Sequence, residues 1–306
     1  MAKNSNQDSG DEMTRNIQEI PLSSIDPFPN HPFKVKDDED MQNLVESIAQ
    51  NGLLAPIIVR KMYHKRYEII SGHRRLRAFQ ILGLEKIPAE VLNISKEEAT
   101  LYMIDSNFQR STILPSEKAF AYKMRMEAIR DYKWRVNEGR LPKQPTIGAT
   151  RLPLEGKAKD ILAKTMGESH ETIRRYIRLT KLVPDLLEMV DNGNLGLRSA
   201  VELSYIKTET QQTIADQIGI EISYPTLAQA IRMRKLDENN ELTESEINKI
   251  MREQKPNQKE HDSVRLDRFE KLFPKRLPLE KREAYIEAAL EHYGRYLARK
   301  ERDYGR

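Results

Sequence analysis

The chain has 306 residues, with 51 Lys and Arg against 47 Asp and Glu and a formal net charge of +4. So small an excess leaves any anion-binding role to local clusters of basic residues. Cysteine is absent, which excludes disulfides, thiolate metal sites and cysteine nucleophiles. No apolar run is long enough to span a membrane, and the start "MAKNSNQDSGDEM" lacks a signal-peptide core. The expectation is a cytoplasmic protein without a membrane partner.

Residues 1–16 are polar and read as a disordered tail. "IQEIPLSSIDPF" predicts a short strand running into a Pro-punctuated loop. In "DDEDMQNLVESIAQNG", Met41, Leu44, Val45, Ile48 and Ala49 fall at helical spacing, and Gly52 stands where a C-cap glycine belongs. "LLAPIIVRK" and "RYEIIS" are β-rich runs around the polar turn "MYHK". A helix is predicted from Gly72 to about Leu82, then a strand over "IPAEVLNI". Helical patterning resumes from Lys96 to Arg130, broken at "NFQRSTILPSEKA", where Pro115 restarts it with Glu117 in the first turn. The first folded region therefore spans 17–136. Residues 137–157, rich in Pro and Gly, read as a linker or long loop. A helical region follows over 158–238. Residues 239–263 form a helix, with Thr243 and Glu246 spaced as a capping box, and a second linker. A C-terminal helical segment, 264–306, carries a helix from Leu279 to about Lys300.

The stretch "EIISGHRRLRAFQILG" places Arg74, Arg75 and Arg77 directly after a predicted strand and glycine. A glycine there lets the chain turn tightly and a ligand approach. The helix that follows offers unpaired N–H groups, and the arginines offer planar charged forks for phosphate oxygens. The alternative is that the arginines cover a surface helix and pair with nearby acids. Further on, "SNFQR" supplies Asn107, Gln109 and Arg110 at another turn and says little alone.

"KDILAKTMGESHETIRRYIRLTKLVP" has helix-turn-helix spacing, with Ala163 small, Gly167 at the turn, and Ile173 and Tyr176 on the packed face. Ser169 is the expected N-cap of the second helix. From Lys157 to Lys181 there are seven Lys or Arg and three acids. This local basicity favours DNA over a merely solvated hairpin. The candidates are Ser169, His170, Thr172, Arg174, Arg175, Arg178, Lys157 and Lys181, with Arg174 and Arg175 for base edges and Lys157 and Lys181 for the backbone. The six histidines are scattered without metal-ligand spacing, so no metal site is expected. Trp134 and tyrosines 132, 285, 293 and 296 are expected to pack rather than stack on bases.

In this order, "GLLAPIIVR", "SGHRRLRA", "NFQRSTILPSEKA" and the helix-turn-helix resemble the ParB family of DNA-partition proteins, over about residues 17–235. The resemblance implies an α+β N-terminal ParB/sulfiredoxin-like domain followed by an all-α helix-turn-helix domain. It also implies a CTP-dependent clamp, with or without Mg2+, that binds a palindromic centromere-like DNA site as a homodimer. A ParA-like ATPase is the implied partner and the nucleoid the implied location. Carried over, Gly72, His73, Arg74 and Arg75 hold the triphosphate, Asn107 and Arg110 complete the pocket, and Gly52, Leu53, Ala55 and Pro56 line the base.

Two positions depart from the family pattern. His73 and Ser106 stand where glutamates are usual, and Asp105 is one residue out of register. Carboxylates there suit metal binding or orientation of water, so binding is expected with hydrolysis weak or absent, and no catalytic residue is assigned. Beside phosphates, His73 is expected to favour its protonated form, with affinity rising between about pH 7 and 6. A sulfiredoxin activity is excluded by the missing cysteine, and a kinase is disfavoured by the missing carboxylates. A transcriptional repressor that keeps the fold without a nucleotide switch is the alternative function. At the C-terminus, Ile286, Ala289, Leu290, Tyr293 and Leu297 form a stripe that reads either as a face docked on its own domain or as a dimer seam, the second being slightly favoured because a palindrome-binding protein needs one.

Overall fold

The computed structural model describes residues 17–110, 112–143, 155–221, 223–253, 273, 274, 278 and 281–304. The expected tail, much of both linkers and Leu279 lie outside them. The chain divides into Met1–Glu253 and Gln254–Arg306.

The first unit opens with β1 (Ile17–Pro21), β2 (Ile25–Asp26) and α1 (Glu39–Asn51). The Asp38 side chain accepts from the Met41 N–H at the start of α1, and Gly52, with φ of 72°, ends it. There follow β3 (Ile57–Lys61), β4 (Tyr67–Ser71), α2 (His73–Ile81) and β5 (Lys86–Leu92). The turn between β3 and β4 holds His64 and Lys65 at positive φ. The strands form one sheet in the order β1-β5-β3-β4-β2. The pairs β1/β5 and β3/β4 are antiparallel, whereas β3/β5 and β2/β4 are parallel.

Alternation along the strands feeds both faces of this sheet. Ile57, Val59 and Ile69 pack under α1 and α2 with Met41, Ile48 and Phe79. Ile70 points the other way, toward Phe28, Phe33, Met103 and Ile104. The helix α3 (Lys96–Phe108) covers that second face, with a reciprocal cap between Ser95 and Glu98.

The helix α4 (Pro115–Asn137) lacks the single apolar stripe of a surface helix because it is buried on several sides. Ala121 joins the core under the sheet, Ala119 joins the helical core, and Tyr122 and Ile129 meet the next two helices. Those are α5 (Ala158–Met166) and α6 (His170–Leu179), separated by Gly167 at φ 65°. Further helices are α7 (Pro184–Asp191), α8 (Leu197–Leu203), α9 (Thr208–Glu221), α10 (Leu227–Glu238) and α11 (Glu244–Arg252). Thr243 caps α11 by accepting from the Glu246 N–H.

Polar contacts bind the sheet region to the helical region. The Asp191 carboxylate at the end of α7 accepts from Ser116 N (2.8 Å), Ser116 Oγ (2.6 Å) and Lys34 Nζ (3.1 Å). Buried Glu117 accepts from Lys34 N (2.8 Å) and Leu114 N (3.0 Å).

Packing corrects one expectation. Tyr132 is buried, but Trp134, Tyr285 and Tyr293 are exposed, and Arg140 lies over the Trp134 ring at 5.3 Å. The second unit contains α12 (Arg282–Tyr304), on which Tyr285, Leu290 and Tyr293 are exposed. The side chains of Tyr296 and Leu297 lie outside the described residues.

Candidate nucleotide pocket and DNA interface

Gly72 ends β4 in a left-handed conformation, φ 96°, and starts α2 with no side-chain cap. A Cβ on Gly72 would come within 2.8 Å of Ile57 Cγ2 and 3.2 Å of the Arg75 guanidinium. Only glycine fits both the dihedral and the space. The open first turn of α2 is thus held tightly against β3, with its N–H groups and partial positive charge available to an anion.

The two predicted phosphate arginines behave differently. Arg75 turns back over "GLLAP", and its Nη1 donates to Ala55 O and Pro56 O, each at 2.6 Å. Burial holds its pKa below the usual guanidinium value. It therefore fixes the Gly52–Pro56 loop, on which Leu54 is almost wholly exposed. Arg74 makes no hydrogen bond or ion pair among the described residues, and its charge reaches Arg110. Arg110 lies 5.5 Å over the Phe33 ring with Glu117 close by. Arg77 instead pairs with Asp37 at 2.5 Å, as a surface-helix arginine would.

Asn107 is buried, and its amide donates to Met103 O at 2.8 Å within α3. Ser106 Oγ donates to the same carbonyl at 2.9 Å. Asp105 is ion-paired with the buried Arg125 of α4, so its carboxylate is already engaged.

Sequence reading missed His31. Its ring stacks on that of His73 with centroids 3.7 Å apart, and its Nδ1 donates to Phe33 O at 2.8 Å. Forty-two positions separate the two histidines, and no spacing rule joins them. The Nε2 atoms of both are buried and have no hydrogen-bond partner. Burial, with Arg110 nearby, pushes the pKa of His31 down to about 4. Burial, with His31 and Arg110 nearby, pushes that of His73 down to about 3. Both imidazoles are therefore neutral near pH 7, and protonation of His73 beside phosphates has to overcome its burial.

This donor set fits an anion. The uncapped N-terminus of α2, Arg74 and Arg110 supply positive charge, and the unpartnered His73 Nε2 can donate as one neutral tautomer, whereas His31, whose ring proton sits on Nδ1, presents only a lone pair at Nε2. The set does not supply a carboxylate cage for Mg2+, because Asp105 and Glu117 are taken up elsewhere. Among the described residues no cluster of three or more His, Asp or Glu could hold a metal. Arg74→Ala should lower triphosphate affinity by about 1.5–3 kcal/mol, the scale of a charge-assisted hydrogen bond, with the fold intact. Arg75→Ala should lower it through loss of the loop as well, and should expose the Ala55–Pro56 segment to faster amide exchange. Nucleotide calorimetry and exchange measurements on the two variants check the division.

The DNA candidates lie on and around α6, with Lys157 at the N-cap of α5 and Lys181 just beyond the end of α6. Ser169 caps α6 as expected, its Oγ accepting from Thr172 N at 3.0 Å and lying 2.8 Å from Thr172 Oγ1. His170 faces Asp160 at 3.6 Å. Arg174 and Arg175 share Glu171, at 3.4 and 3.1 Å. Lys157 and Lys181 are exposed. Arg178 is tied down: its guanidinium donates to Ser204 Oγ (2.9 Å) and Ser204 O (2.5 Å) and lies 3.9 Å over the Tyr205 ring. Its geometry is that of a strut between α6 and the end of α8. A cleft of about 270 Å³ runs from Arg174 and Arg175 past Tyr205 to Arg198 and Arg234. Arg198 is exposed and has no partner among the described residues. It was missed because α8 is remote in sequence from the helix-turn-helix.

Residues 6–108 match the family model of the ParB N-terminal domain, and residues 155–223 match that of the ParB HTH domain. A nucleoid occlusion protein of Listeria monocytogenes serotype 4b is 31% identical over 210 residues, 69% of this chain and 65% of the relative. The chain thus spans just under two thirds of that relative's length. A nucleoid occlusion protein of Bacillus cereus is 30% identical over 243 residues, 79% of this chain and 70% of the relative. C-terminally truncated ParB from Caulobacter crescentus has been solved complexed to the centromeric parS site and with CTP-γ-S. Those structures are 22% and 23% identical, cover 77% and 66% of this chain and 98% of their own, and give TM-scores of 0.37 and 0.29. With both family domains matched in order and a relative of 30% identity spanned over more than two thirds of its length, the chain belongs to the ParB family.

Proposed function

We propose that this protein is a site-specific DNA-binding protein of partition or nucleoid occlusion, with a triphosphate pocket that switches its hold on DNA. The observation that carries the nucleotide half is the wall formed by Gly72, Arg74, Arg110 and the His31–His73 pair, which is cationic and polar yet offers no free carboxylate. CTP is the nucleotide implied by family membership. The protein binds double-stranded DNA through α5 and α6, with Arg174 and Arg175 at base edges and Lys157, Lys181 and Arg198 at phosphates. A palindromic site calls for a homodimer, and a ParA-like ATPase is the expected partner. Exposed Tyr285 and Leu290 on α12 suit a dimer seam.

Hydrolysis should be weak. His73 and Ser106 occupy the positions where glutamates would hold a metal or orient water, and Asp105 is engaged by Arg125. Phosphate release with CTP and a selected DNA site should be negligible in the wild type and should appear in Ser106→Glu. Rapid wild-type turnover abolished by Asp105→Asn would contradict this. Chromatin immunoprecipitation tests the whole reading. A switchable clamp spreads from its loading site for kilobases, whereas a repressor without the switch gives a sharp peak.

A further inference from the structure

The recognition helix carries its own counter-charge. Glu171, in the first turn of α6, lies 3.4 Å from Arg174 Nε and 3.1 Å from Arg175 Nε. These are the two arginines proposed above to read bases. Glu171 and Arg174 are both well exposed, and all three line the arginine-rich cleft that also holds Arg198. The neighbouring cations are differently placed. Arg178 is fixed on Ser204, Arg234 is paired with Glu202 (3.1 Å) and Glu238 (2.8 Å), and Arg198 has no partner among the described residues. Glu171 is therefore the carboxylate that Arg174 and Arg175 must leave in order to touch DNA.

We infer that Glu171 is an affinity-limiting counter-charge on the DNA-reading helix: it holds Arg174 and Arg175, and DNA of any sequence must displace it or forgo them. The inference rests on the proposed DNA interface. The ordering of magnitudes supports it. An exposed ion pair is worth at most about 1 kcal/mol. A bidentate arginine–guanine contact discriminates by about 1–3 kcal/mol and outcompetes it. A single phosphate contact, which draws on counterion release and weakens as salt rises, is at physiological salt of the same small size as the ion pair and does not outcompete it. On random DNA the arginines stay on Glu171, and the carboxylate adds repulsion against the backbone. On the right sequence they exchange Glu171 for guanine O6 and N7. That exchange costs the selected site the ion pairs, so Glu171 lowers affinity for the selected site at least as much as for random DNA.

The test is Glu171→Gln in the full chain, which keeps side-chain size and removes the charge, with a thermal melt to establish folding. Binding is measured by salt titration on two duplexes of equal length. One carries the sequence that the full chain enriches from a random library, and the other is scrambled. The expected result is scrambled-duplex affinity raised about three- to tenfold and a salt slope steeper by about one counterion. Selected-duplex affinity should rise by at least as much, because the arginines no longer leave a partner to reach the bases. Unchanged scrambled-duplex binding overturns the inference. So does a loss confined to the selected duplex, which would make Glu171 a direct acceptor for a cytosine amine. Arg174→Ala/Arg175→Ala is measured in parallel. If that variant binds both duplexes as the wild type does, the interface assignment itself has failed. If it loses selected-site binding while Glu171→Gln is silent, only the role of Glu171 has failed.

Discussion

Gly72→Ala should destabilise the protein by about 2–4 kcal/mol and abolish nucleotide binding. Two costs combine. Alanine at φ 96° lies outside the regions an L-residue adopts easily, and the new Cβ would meet Ile57 Cγ2 at 2.8 Å. Ile57 is a fully buried β3 residue in the core beneath α1 and α2, so it cannot step aside without strain there. Any relief by movement of α2 would carry Arg74 and the open first turn away from Arg110. Gly83→Ala is the matched control. Gly83 also has positive φ, 67°, but its Cβ would enter open space. It should cost only about 1–2 kcal/mol and leave nucleotide affinity unchanged. Urea denaturation of both variants gives the comparison. Equal losses would show that backbone strain, not the contact with Ile57, makes Gly72 necessary.

Acid should destabilise the protein before carboxylate chemistry dominates. His31 and His73 titrate near 6.5 when unfolded, but burial holds them at about 4 and about 3 in the fold. Below about pH 6.5 the unfolded chain takes up protons that the folded chain refuses. Stability falls as pH drops toward 4, and the loss levels off only once the folded pair itself protonates. The positive charge of Arg110 adds to the effect, whereas nearby Glu117 works against it for His31. The pair together should lose on the order of 3–5 kcal/mol by about pH 4.5, a large share of a typical domain's stability. His73→Gln should flatten the fall in urea midpoint between about pH 7 and 4.5. Asp26 and Asp37, whose carboxyls are lowered by Arg66 and Arg77, lose their ion pairs only further into acid. A variant with the same acid profile as wild type would mean that His73 is solvated in solution.

The same neutrality changes the expected effect of pH on the ligand. A bound triphosphate must raise the imidazole pKa values from about 4 and about 3 before either ring can carry charge near neutrality. Affinity should therefore be nearly flat between about pH 8 and 7 and rise only in more acid solution.

What could be read in the sequence was what local chemistry dictates. The strand–glycine–helix junction at Gly72, the Ser169 cap and the Gly167 turn each depend on residues within a few positions of one another. The helix-turn-helix followed from the same short-range rules. The lateral pairing of β1 with β5 and of β2 with β4 did not, because those contacts join segments tens of residues apart. Nor did α4, whose apolar residues are spread round the helix to serve three cores and so show no stripe. The pocket was half legible. Its arginines stood together in sequence, but the partners that divide their work did not. Ala55 and Pro56 capture Arg75, Asp37 captures Arg77, and only Arg74 is left for a ligand. The His31–His73 stack and Arg198 belong to the same class of long-range facts. Trp134 failed as a core residue because an aromatic ring on a long helix can equally lie on the surface beneath an arginine, here Arg140.

The most direct test of the central claim is calorimetric titration of the full chain with CTP, ATP, GTP and UTP in turn, with and without the selected DNA duplex. Binding of CTP in preference to the other three, weakened in Arg74→Ala and lost in Gly72→Ala, is the result predicted. No heat of binding for any of the four in either condition, from a protein that still recognises its DNA, would contradict it.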